Sequence, residues 1–190
     1  TFKTLLGSSQ AAGDYLKTLQ QFAARTPFEF PELRDAASRF LAVGVSADRV
    51  IPIMTTLGDA TAAMGTGSEG INRATTALTQ MSQKGKVSAE EMMQLTEAGI
   101  PAWDALAAVL GTDVAGAMDL VSKGGVKAED MFRALETGAG GALGRVKGMM
   151  EEQAQTLAGM WSTLKDSVTM GLGDMMATAV PMLKEMLPGI

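Results

Sequence analysis

A short device that ends one helix and starts the next occurs three times in this chain, and it limits the folds open to it. The copies read Gly44-Val45-Ser46-Ala47-Asp48, Gly85-Lys86-Val87-Ser88-Ala89-Glu90 and Gly124-Gly125-Val126-Lys127-Ala128-Glu129. A glycine just past a helix takes the left-handed conformation that closes a C-terminus. Ser46 and Ser88 stand where an N-cap hydroxyl accepts from an unpartnered amide of the next helix, and Glu91 completes a capping box with Ser88. Counted from each cap, Val45/Val50, Val87/Met92 and Val126/Met131 supply the apolar N′ and N4 pairs of a hydrophobic staple. The third copy has Lys127 in place of the hydroxyl, a loss of about 1 kcal/mol. That start leans on its staple and on Glu129 and Asp130 near the positive end of the helix. A chain punctuated this way folds as an ordered stack of short helices.

The second and third copies extend into a longer repeat. Lys84–Gly99 aligns with Lys123–Gly138 at an offset of 39, with eight of sixteen positions identical. The match fades after Gly99, and no evenly spaced array follows, so the copies are reused helix starts within one domain rather than a solenoid. Composition agrees. Of the 190 residues, 46% are hydrophobic but only 5% aromatic, and Ala, Met and Leu supply the apolar surface. That mixture favours helices over strands. The predicted fold is all-α: a compact multi-helix bundle of short helices followed by a longer C-terminal helix.

Helical periodicity predicts helices over 8–24, 31–43, 47–64, 69–83, 88–98, 102–110, 114–123 and from the third device to about 137. The first carries Tyr15, Leu16, Leu19 and Phe22 on one face. Pro52 suggests a kink or a delayed start in the third. Thr26-Pro27-Phe28-Glu29-Phe30-Pro31 interrupts the chain, and its two rings are expected to cover one end of the bundle; an aromatic latch for a partner is the other reading. Gly138, Gly140, Gly141, Gly144 and Gly148 mark a glycine-rich stretch read as a hinge. Beyond it, 142–170 reads as one long helix with Leu157, Met160, Trp161, Leu164 and Val168 as its stripe, and an apolar, Met-rich helix follows over 174–187. The expected organisation is 1–137 helical domain, 138–148 hinge, and 149–190 long amphipathic helix plus apolar C-terminal helix leading into downstream sequence. The chain lacks an initiator Met and reads as a part of a longer protein.

Several function classes fall away. A formal charge of −5 without a basic run argues against direct nucleic-acid binding. There is no His and no Cys, so the commonest general base, nucleophile activator and metal ligands are missing. Gly65-Thr66-Gly67-Ser68 has no lysine at phosphate-loop spacing and follows no strand. The acidic pairs Glu90/Glu91 and Glu129/Asp130 sit in first turns and are read as solvated charges on the helix dipole. No catalytic, cofactor-binding or metal-binding residue is assigned. The 15 methionines are read mainly as adaptable core filler. Gly140, Gly144 and Gly148 repeat the spacing of paired membrane helices, but Arg145 and Lys147 lie within it and make a membrane span untenable.

The residues then carry a resemblance. Thr26-Pro27-Phe28-Glu29-Phe30, Leu41-Ala42-Val43-Gly44-Val45-Ser46, Leu57-Gly58-Asp59-Ala60, Lys84-Gly85-Lys86-Val87-Ser88-Ala89-Glu90-Glu91 and Gln94-Leu95-Thr96-Glu97-Ala98-Gly99-Ile100-Pro101-Ala102 occur in that order. Over roughly residues 5–170 this resembles the tape measure domain of tailed-phage (or prophage) tail tape measure proteins, with Lys84–Ala102 the most specific part. Signature positions are Thr26, Pro27, Phe28, Lys84, Gly85, Gln94, Leu95, Gly99 and Pro101. The resemblance implies a structural protein packed in the tail tube that governs tail length and is ejected ahead of DNA. It implies tail tube protein, tail assembly chaperones and a tail-tip or baseplate hub as partners, self-association with a trimer as one arrangement, and contact with the host membrane on ejection. The implied location is the tail lumen, the host cytoplasm during assembly and the host envelope after ejection. At about 1.5 Å per helical residue, 190 residues are too few to be the ruler itself, so this is one module of it. Two other readings stay open on the residues alone: a membrane-active bundle with a Met-rich inserting helix, and a helical adaptor or chaperone.

Overall fold

The computed structural model describes residues 1–162 and residue 164, and every structural statement below concerns these. They include ten helices with named bounds: α1 Phe2–Leu6, α2 Ser9–Ala23, α3 Phe30–Ala42, α4 Ala47–Met64, α5 Gly67–Lys84, α6 Ala89–Glu97, α7 Ala102–Leu110, α8 Val114–Ser122, α9 Ala128–Thr137 and α10 Gly141–Val146. A further helical stretch covers 149–162. No strand occurs among the described residues, so the all-α reading holds. Contacts divide the chain into a compact unit, Thr1–Gln153, and a second unit, Ala154–Ile190. The glycine-rich stretch 138–148 lies within the first.

The two longest named helices, α4 and α5, pack on each other at the centre of the first unit. Around them, α3 lies on both, α6 on α5, α9 on α4, α5 and α7, and α8 on α7. The interior is mostly aliphatic. Leu19, Leu33, Ile53, Leu57, Leu78, Met81, Met92, Leu95 and Leu106 are fully buried, and Phe40 meets Phe132 edge-on at 6.3 Å. Methionine does two jobs: Met54, Met81, Met92 and Met131 fill the core, while Met64, Met93, Met118 and Met160 are exposed.

Helix α4 has the predicted bounds, and Pro52 neither delays its start nor ends it. Several expectations need correction. A short helix, α1, precedes the first one predicted, and Phe2 stacks on Tyr15 at 5.8 Å. Helix α5 begins at Gly67, two residues before the predicted start. The predicted continuous helix 142–170 is broken: Lys147 is extended in backbone (ψ 127°) and Gly148 has φ 86°, so α10 ends and a new helix begins at 149. Its stripe residues Leu157, Met160, Trp161 and Leu164 are exposed. Val168 and the predicted 174–187 helix lie outside the described residues.

Candidate functional site

The second and third devices meet directly, and residues flanking the first join them. The Val87 N–H donates to the Val126 carbonyl at 3.0 Å and the Ala128 N–H to the Gly85 carbonyl at 3.2 Å. Lys86 and Lys127 thereby face each other across an antiparallel bridge. The first copy joins from two directions. The Ser82 hydroxyl, near the end of α5, donates to the Val43 carbonyl at 3.2 Å. Arg49, in the first turn of α4, pairs with Glu129 at 2.8 Å and Glu136 at 2.7 Å on α9. The staple residues Val45, Val50, Val87, Met92, Val126 and Met131 are all buried in one cluster. The devices are therefore corner pieces that interlock, and not only local punctuation.

The capping chemistry differs from the prediction. Gly44, Gly85 and Gly124 do take left-handed φ of 90°, 71° and 70°, but neither Ser46 nor Ser88 accepts a cap bond from the helix that follows. The Asp48 carboxyl is held below its usual range, chiefly by the neighbouring Ser46 side chain. The Ser88 hydroxyl donates to Glu91, which also takes an ion pair from Lys84. Glu91 is not a solvated first-turn acid: it is fully buried. Burial alone would push its carboxyl up, but the bonds from Lys84 and Ser88 outweigh that and leave it below the ordinary glutamate value. Isolated, such a charge would be costly to bury; paired and bonded, it ties α5 to α6. At the weak third copy, the Lys127 N–H donates to the Asp130 carboxylate at 3.1 Å, the acidic half of a capping box without the hydroxyl half.

The other signature residues are also placed by packing. The Thr26 hydroxyl donates to the Ala23 carbonyl at 3.0 Å and accepts from the Phe28 N–H at 3.3 Å. This turn directs Phe28 into the core, where it is 6% exposed, while Phe30 opens α3 and is only partly buried. Phe28 therefore covers its own bundle. At Lys84–Ala102, Leu95, Ile100 and Ala102 are buried, and Pro101 stands at the N-cap of α7. Gly99 has φ 91°, and a Cβ there would lie 2.9 Å from Met64 Cβ, so both conformation and space call for glycine. The Thr66 hydroxyl donates to the Ala98 carbonyl at 2.9 Å, tying this turn to the start of α5. Gln94 lines an open groove of about 620 Å³ with Asn72, Arg73, Thr76 and Glu97. The groove's Arg73 pairs with Glu69 at 2.6 Å.

The chain matches the family model described as tape measure protein over residues 1–177. The chain belongs to the tape measure protein family. No curated protein and no solved structure matches it significantly. The tape measure family is one of structural phage-tail proteins, and this chain is a phage tail tape measure module. Within this module the helix-start residues Gly85, Val87, Ser88, Glu91, Val126 and Glu129 join helices to one another.

Two roles escaped the sequence reading. In Leu57-Gly58-Asp59-Ala60, Asp59 is 5% exposed and accepts from the Gly148 N–H at 2.9 Å and the Met150 N–H at 3.0 Å. Gly58 leaves room for this approach, since a Cβ there would lie 2.3 Å from Met150 Sδ and 3.3 Å from a Phe28 ring carbon. An acid inside an otherwise apolar helix turn was the available signal. Arg49 had no such signal, because its partners Glu129 and Glu136 lie on a helix far along the chain.

Proposed function

We propose that this domain is a folded module of a tape measure protein that lies in the tail tube lumen, contributes to tail length and assembly, and leaves ahead of DNA at infection. The observation that carries the reading is the family match across 1–177. The partners proposed are the tail tube protein, tail assembly chaperones and the tail-tip or baseplate hub. The interlocked corners support a module that holds its own shape rather than an extended ruler segment. Within it, 138–148 is proposed as the place where the domain gives way, dividing a 1–137 body from 149–190. The exposed stripe Leu157, Met160, Trp161 and Leu164 supports self-association, a trimer among the arrangements, through the helix that carries it.

The test is an in-frame deletion of residues 1–153 from the tape measure gene, read by electron microscopy of particles. Missing or wrong-length tails beside normal heads are expected; normal tails would contradict the proposal. The same exposed stripe favours a second reading, contact with the host membrane after ejection. Among the described residues no single helix is long and apolar enough to cross a membrane, and the contact proposed for the stripe itself is with the membrane surface. Leakage of anionic vesicles on adding the chain would support it, and absence of lipid binding would count against it.

A further inference from the structure

Two aspartates on different helices hold backbone amides of the segment that follows α9. Asp104, in the first turn of α7, accepts from the Ala142 N–H through Oδ2 at 2.9 Å. Asp59, deep in α4, accepts from Gly148 through Oδ2 and from Met150 through Oδ1. Ala142 lies in the first turn of α10, and Gly148 and Met150 flank the start of the 149–162 helix. Each new helix start is thus satisfied by a carboxylate from another helix, as an N-cap residue would do locally. The fit is close: Gly140 has φ 94°, and a Cβ there would lie 2.5 Å from Asp104 Oδ2.

Apolar anchoring of this stretch is limited, with Ala139 and Val146 only partly buried against the core. From 138 to 153 only Leu143 and Met150 are buried. Apolar burial is the main favourable term for most helices of this domain, and here it is thin. Hydrogen bonds to a charged acceptor are among the stronger polar contacts, and leaving their donors unmet is costly. A cavity of about 400 Å³ beside Asp59, lined also by Pro52, Thr55, Glu136 and Lys147, gives water a route to compete for the carboxylate.

We infer that Asp59 and Asp104 form a two-point carboxylate latch that holds 138–153 against α4 and α7. Release of its three hydrogen bonds lets that stretch lift as a unit while the helices from α2 to α9 stay folded. The inference rests on the proposed role of 138–148 as the place of rearrangement, and it adds which side chains control it.

Hydrogen exchange by mass spectrometry on the 190-residue chain tests it, comparing wild type, Asp59→Asn, Asp104→Asn and Arg49→Ala. The first two variants keep shape but remove the charge. They are expected to speed exchange in 142–150 by about tenfold or more, while α4, α5 and α9 stay within about twofold of wild type. Arg49→Ala, which weakens the α4–α9 tie without touching the latch, should not reproduce this pattern. Unchanged exchange in 142–150, or an equal rise in every helix, would overturn the latch. If a variant does not fold, wild type in dilute denaturant decides. Opening of 138–153 before α4 and α5 is expected, and opening together with them would overturn both latch and hinge. Early opening that neither variant accelerates would leave the hinge standing and remove the latch.

Discussion

The Val87 amide donates to the Val126 carbonyl at 3.0 Å, and these two valines occupy equivalent positions in repeats offset by 39 residues. A repeated helix-restart motif has thus become its own binding partner. Each copy closes one helix and opens the next, and the extended link between them is the one place where its backbone can pair with another strand-like segment. The bond fixes α6 and α9 relative to each other, and Arg49 draws α4 into the same corner.

The bridge sets Lys86 directly opposite Lys127, an unfavourable pairing of like charges. Lys127 also lies at the positive end of α9. Lys127→Ser, which removes this charge, is therefore expected to stabilise the domain by about 0.5 kcal/mol, measured as a higher midpoint in urea unfolding at low salt. A lower midpoint would mean that the lysine stem contributes packing.

Arg49 is 22% exposed at its side chain and engages two glutamates of α9. Its removal leaves both acids without their cation. Arg49→Ala is expected to cost about 1–2 kcal/mol. A double-mutant cycle with Glu136→Ala should show coupling between the two positions. Additive effects would show that the pair contributes nothing beyond its separate side chains.

Glu91 makes the domain sensitive to acid. Its folded-state carboxyl is held below the ordinary value of 4.5, so its contribution is present above that pH. It is lost as pH falls through the lower folded value. Thermal unfolding from about pH 6 to about pH 3 should show falling stability for wild type, with a shallower fall for Glu91→Gln from a lower starting point. Identical slopes would exclude Glu91 as a source of the pH dependence.

Gly58 and Met150 predict a change of sign. In the wild-type background, Gly58→Ala drives a Cβ into Met150 Sδ, and overpacking is expected to outweigh the gain in helix propensity by about 1 kcal/mol. In a Met150→Ala background the clash with Sδ is gone and the Phe28 ring, at 3.3 Å, needs to shift only a few tenths of an ångström into the space released, so the same substitution should stabilise by about 0.5 kcal/mol. Urea unfolding of the four proteins measures both. The same sign in both backgrounds would refute the packing role of Gly58.

What the sequence made legible was local. The end of α4 follows from Gly65, whose left-handed conformation acts within a turn, and the burial of all six staple residues follows from their spacing. What it concealed was decided at long range. Glu91 looks like a solvated first-turn acid until Lys84 and the packing of α5 on α6 enclose it. Gly148 reads as a hinge glycine overlapping a long helical pattern, and the helix start that it marks shows only once Asp59, 89 positions earlier, takes its amide. Ser46 and Ser88 stand at the right positions with extended backbone, yet neither makes the cap bond, and at Ser88 the Glu91 carboxylate takes the hydroxyl. The family resemblance was the part most fully legible, because several of its signature residues, Gly85, Gly99 and Pro101 among them, close and open helices.

Whether this is a folded module carried inside the phage tail is decided by limited proteolysis and cross-linking mass spectrometry of intact purified tails. Peptides from 1–153 are expected to resist external protease until the tail is opened, and exposed lysines such as Lys86 and Lys127 to cross-link to the inner face of the tail tube or tip. Absence of these peptides from purified tails, or their ready digestion in intact ones, would refute that placement.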